Sequence, residues 1–135
     1  MPFWARGKGR PVAKPMVLIA EDERSIATLL AKLVEECGVE TAIARNGGDA
    51  LRWMRDRRPD LLLLDLIMPV MSGEDVLAEM QEDARLVDVP VIVITTKGTL
   101  PDSPHPGLVL VPKPFVPAEV RDRVREALGL AAPGA

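Results

Sequence analysis

The stretch DLLLLDLIMPVMSGED, residues 60–75, decides how the rest of the chain is read. Leu61–Leu64 is the most apolar run in the sequence, and it stops on Asp65. A continuous apolar run of this length suits a strand covered on both faces, as in a parallel sheet. Met68-Pro69 and Ser72-Gly73 then mark a loop, and Val76, Leu77 and Met80 recur at helical spacing.

The same alternation runs outward from this unit in both directions. Met16–Ala20 (MVLIA) is a second short apolar run. Ile26, Leu29, Leu30, Leu33, Val34 and Cys37 follow at helical spacing, with Ser25 as the expected N-cap and Gly38 as the stop. Residues 39–44 read as a strand, Asn46-Gly47 as a turn, and Ala50, Leu51 and Met54 as a helix ending before Pro59. On the other side, residues 89–95 (VPVIVIT) and 108–111 read as strands. Pro117, Val120, Val124 and Leu128 make the last helix, with Gly129 after it. Strands alternating with helices predict an α/β domain with a doubly wound parallel sheet and right-handed crossovers. The expected boundaries are a flexible tail at 1–14, one domain over 15–130 and a short tail, AAPGA, at 131–135.

Composition bounds the function. A chain of 135 residues supports one core of this kind, and hydrophobic residues at 47% exclude a disordered chain. Aromatics are 3%, so the core is aliphatic. The net charge of −3 argues against nucleic-acid binding, no run approaches membrane-spanning length, and a lone Cys37 suits a reducing cytoplasm. Cys37 itself reads as a small core residue, and His105, the only histidine, as an exposed loop residue.

In open α/β sheets, ligands bind beyond the carboxyl ends of the strands. Those ends carry Glu21-Asp22, Asp65, Thr95-Thr96 and Lys113. Three converging carboxylates call for a cation, and an all-oxygen set favours a hard one such as Mg²⁺. A lysine and a hydroxyl facing the same place supply charge and a donor for a phosphoryl oxygen, which is most of what phosphoryl transfer needs. Asp65 is the expected nucleophile, forming an acyl phosphate.

VLIAEDE, DLLLLDLIMPVMSGED, PVIVITT and VPKPF resemble the four signature stretches of response-regulator receiver domains, over roughly residues 16–129. The resemblance implies a flavodoxin-like fold with sheet order 2-1-3-4-5. It makes Asp65 the phosphoacceptor, and gives the metal to Glu21, Asp22, Asp65 and the backbone carbonyl of Ile67. It assigns phosphoryl contacts to the Thr95 hydroxyl, the Thr96 backbone N–H and Lys113, and a cis peptide to Lys113-Pro114. It further implies a cytoplasmic signalling switch rather than an enzyme, in a two-component or phosphorelay system. The donor is a sensor histidine kinase or a histidine phosphotransfer protein, and output passes to a downstream protein partner without nucleic acid or membrane. A competing reading is an interaction module indifferent to phosphorylation. A haloacid-dehalogenase-type phosphatase is excluded, because it needs a second Asp where Ile67 stands.

Between Thr95 and Lys113 the sequence departs from the family. Pro101, Pro104 and Pro106 lie between Gly98 and Gly107, where relatives carry a helix. Each interior Pro costs a helix about 3 kcal/mol and each Gly about 1, so an irregular, mobile loop is expected. Leu110 stands where many relatives have Tyr or Phe, and Pro112 removes a ladder donor, which an edge strand tolerates. Ile67 and Lys97 are poor at orienting an attacking water, which predicts a long-lived phosphorylated form.

Overall fold

The chain alternates β1 (Met16–Ala20), α1 (Arg24–Glu35), β2 (Glu40–Ala44), α2 (Gly47–Arg57), β3 (Leu61–Leu64), α3 (Gly73–Gln81), β4 (Val91–Thr95), β5 (Val109–Pro112) and α4 (Pro117–Leu128). These come from a computed structural model that describes residues 14–130. The expected tails, Lys14 aside, lie outside the described residues. The strands form one parallel sheet in the order β2-β1-β3-β4-β5, the flavodoxin-like arrangement expected.

β3 is apolar throughout because both of its faces are covered. Leu62 and Leu64 join Leu18, Ala20, Val91 and Val93 in a core roofed by α2 and α3. Leu61 and Leu63 point the other way, with Val17, Ile19, Ile92 and Ile94, into a core closed by α1 and α4. Alternate residues of each strand thus feed opposite layers. Truncating a leucine buried this completely would cost about 2–5 kcal/mol.

Boundaries shift where local chemistry overrides periodicity. Ser25 lies inside α1, whose N-cap is Glu23 with no side-chain cap, so the expected cap is corrected. Asn46 and Ser72 cap α2 and α3 by accepting from the N–H groups of Asp49 and Asp75. Leu29 is 45% exposed although it shares the helical spacing of its neighbours. Gly129 ends α4 in the left-handed conformation, as a helix stop does.

No helix forms between Thr95 and Val109, in keeping with the prolines there. His105 in that segment is 4% exposed, which overturns its reading as an exposed loop residue. Its ring bonds to the Val89 carbonyl and the Gln81 amide, partners distant in sequence. Pro112 sits on the edge strand: Lys113 N donates inward to Thr95 O at 2.9 Å, so the neighbouring Pro112 nitrogen faces the open side. Among the described residues, no helix is long and apolar enough to cross a membrane.

Candidate functional site

β1 runs into Glu21 and Asp22, and β3 into Asp65, one strand over. The backbone holds them side by side, since Asp65 N donates to Ala20 O at 3.1 Å. Carboxylate oxygens of Glu21, Asp22 and Asp65 all come within 4.8 Å of one another. Lys113, just beyond β5, reaches across β4 to donate to Glu21 Oε1 at 2.5 Å and Asp65 Oδ2 at 3.0 Å. Ile67 N donates to Asp65 Oδ1 at 3.1 Å, and Glu23 N to Glu21 Oε2 at 3.1 Å. The peptide bond Lys113-Pro114 is cis, as the resemblance implied.

Close packing sets the floor of the site. A Cβ on Gly73 would lie 2.4 Å from the Asp65 carbonyl oxygen, so only glycine lets α3 start against that strand end. At the head of α2, a Cβ on Gly47 would lie 2.2 Å from Met71 O. The β3–α3 loop between these contacts contains a tight turn at Val70, where Met71 N donates to Pro69 O at 2.7 Å. Val70 has φ 69°, an unfavourable value for a β-branched residue, and its side chain is 86% exposed.

Glu21 is 1% exposed and Asp65 6%. Burial pushes the Glu21 carboxyl above its ordinary range, against the pull of Lys113 and the Glu23 N–H. Burial pulls Lys113 down, but its hydrogen bonds to Glu21 and Asp65, with their charges, outweigh it and hold the ammonium above its usual value. One ammonium faces three carboxylates, so the cluster is short of positive charge. A divalent cation on hard oxygen ligands fits that deficit.

The site residues read from the sequence separate into two groups. Glu21, Asp22, Asp65, Ile67, Thr96 and Lys113 line one cavity of about 230 Å³. Thr95 is fully buried beneath it, its hydroxyl accepting from Lys97 N at 3.4 Å. Glu23 and Ile26 also line the cavity, and sequence reasoning did not single them out. A third acid directly after Glu21-Asp22 was the available signal for Glu23.

Residues 17–125 match the family described as the response regulator receiver domain. The phosphate regulon transcriptional regulatory protein PhoB of Pseudomonas aeruginosa is 35% identical over 123 residues, which are 87% of this chain and 53% of that protein. The chain spans about half the length of the curated relatives it matches. Among solved structures, the receiver domain of the P. aeruginosa sensor histidine kinase PA1611, with a magnesium ion in its active-site cleft, aligns with a TM-score of 0.78 at 24% identity. That alignment covers 87% of this chain and 99% of the other. The chemotaxis protein CheY4 of Vibrio cholerae aligns with a TM-score of 0.77 at 25% identity, covering 86% and 100%.

Proposed function

The chain belongs to the response regulator receiver domain family, and from that premise we propose that it takes a phosphoryl group on Asp65 in a Mg²⁺-dependent reaction and changes partner binding as a result. Domains of this family serve as signalling switches of two-component systems rather than as classical enzymes. The observation that carries the proposal is the cluster of three carboxylates at the carboxyl end of the sheet, the two buried ones, Glu21 and Asp65, sharing the Lys113 ammonium.

In this reading one Asp65 oxygen attacks the phosphorus of a phosphohistidine on a sensor kinase or histidine phosphotransfer protein. The P–O bond forms, the P–N bond breaks, and its electron pair stays on the imidazole. Glu21, Asp22, Asp65 and the Ile67 carbonyl would hold the metal, which supplies positive charge to the oxygens of the transferring group. Lys113 stays against Asp65 and pairs with a phosphoryl oxygen, while the Thr95 hydroxyl and Thr96 N–H donate to the others. Ile67 at the cavity mouth carries no group to orient a hydrolytic water, which supports a long-lived phosphorylated form. We place the protein in the cytoplasm, with output through a protein partner. A net charge of −3 offers no basic field for nucleic acid.

Intact mass after incubation with acetyl phosphate, with and without Mg²⁺, tests this. A gain of one phosphoryl group that requires both Mg²⁺ and Asp65 is expected. No gain in folded wild type would replace it with a receiver fold that binds its partner regardless of phosphorylation, and an equal gain in Asp65→Ala would move the acceptor to another residue.

A further inference from the structure

Asp22 differs from the other two acids of the cluster in how it is held. Glu21 and Asp65 are buried, and each carboxylate accepts from Lys113 and from a backbone N–H, that of Glu23 and of Ile67 respectively. Asp22 is half-buried and is gripped through its main chain instead. Arg45 donates from Nε at 3.3 Å and from Nη2 at 3.0 Å, both to the Asp22 carbonyl oxygen.

The grip falls where regular structure gives out. β1 is tied to its neighbours as far as Ala20 O, which accepts from Asp65 N at 3.1 Å, and Glu21 N, which donates to Ala44 O at 3.0 Å. The next element, α1, does not secure the turn from its own side, because its N-cap, Glu23, makes no side-chain cap. Glu23 N does donate to Glu21 Oε2, but that carboxylate is one the metal would also use. The Arg45 bonds go to an oxygen outside the proposed metal ligands, so metal and arginine do not compete for it. Arg45 also starts from a rigid base, between Ala44 at the end of β2 and Asn46, the N-cap of α2. Bonds from an ionised donor are roughly twice as strong as neutral ones.

We propose that Arg45 is a positioning residue for the metal site: by fixing the Asp22 peptide, it keeps the Asp22 carboxylate in the cavity with Glu21 and Asp65. The inference rests on the reading of this site as one that takes Mg²⁺. That ion demands near-ideal octahedral geometry, so a ligand on an untethered turn must be ordered at each binding event, at a cost in affinity. Charge alone acts in the opposite sense. A guanidinium beside a cation site repels the cation, so removing an arginine that acted only through its charge would tighten binding. The sign of the effect separates the two roles.

Calorimetric titration of the full chain with Mg²⁺ tests this, beside thermal melting without metal and the Mg²⁺ dependence of phosphorylation by acetyl phosphate. Arg45→Ala is expected to raise the Mg²⁺ Kd about tenfold, the low end of what removing an outer partner of a metal ligand costs. The Mg²⁺ concentration for half-maximal phosphorylation should rise to match, with the rate at saturating Mg²⁺ near wild type. Arg45→Lys, which still donates to the carbonyl, should recover most of the affinity, and both variants should melt near wild type without metal. An unchanged or lower Kd in Arg45→Ala overturns the positioning role and leaves the metal site standing. A raised Kd with a large fall in metal-free melting in both variants also overturns it, since general loosening of the fold then accounts for the loss. A folded wild type that binds no Mg²⁺ overturns the metal site and the positioning role together.

Discussion

Two loops flank the candidate site, and glycines shape them for opposite reasons. In the loop after β3, Gly73 is needed because a Cβ would strike the Asp65 carbonyl, and across from it Gly47 because one would strike Met71. In the loop after β4, Gly98 and Gly107 touch nothing and serve only to reach positive φ. The first loop is fixed by packing, as interiors are. The second is fixed by a few polar ties.

The comparison can be broken most decisively at Gly73. Gly73→Ala must displace the Asp65 backbone, so a loss of about 3 kcal/mol in urea unfolding, with slower phosphorylation by acetyl phosphate, is expected. A loss under about 1 kcal/mol would mean that the loop after β3 yields as readily as its counterpart.

Glu21 asks whether the stiff side is held against the stability of the fold. Its carboxyl is raised by burial, so its contribution favours folding below the unfolded value of 4.5 and is lost as pH rises through the higher folded one. Glu21→Gln should therefore stabilise the metal-free protein at neutral pH by about 1 kcal/mol. The advantage over wild type should shrink on acidification toward 4.5 and vanish with Mg²⁺. Equal melting of the two proteins at neutral pH without metal would contradict this.

Val70→Gly relieves the strained turn. A gain of about 1 kcal/mol is expected in thermal unfolding, below the full strain because glycine adds unfolded-state entropy. Gly98→Ala is the matched change in the other loop. It should lose about 1 kcal/mol or less, since the residue is strained but meets no neighbour and the segment can shift. If it cost as much as Gly73→Ala, the two loops would not differ in the way described.

The fold was legible because each buried strand must be apolar on both faces, which leaves runs such as Leu61–Leu64 unmistakable. The candidate site was legible because the acids and Lys113 follow those runs directly. What escaped depends on contacts the sequence does not order. Nothing near His105 announces that Val89 and Gln81, 16 and 24 residues earlier, will enclose its ring. Val70 contradicts its own local preference, and only packing on either side of the loop enforces its turn. Thr95 and Thr96 are adjacent in sequence, yet one is buried and the other lines the cavity, because side chains alternate at a strand's end.

Lys113 donates to one acid beyond β1 and one beyond β3, and this fixes an order in which such a site can decay over evolutionary time. Losing the lysine first strands two buried anions without a counter-charge, a change that selection on stability alone would purge. Losing an acid first relieves the crowding and leaves the lysine still paired. A lineage released from phosphorylation would shed its carboxylates early and keep this lysine until last. The surviving cation in such a descendant would then be a relic of stability rather than a sign of retained chemistry.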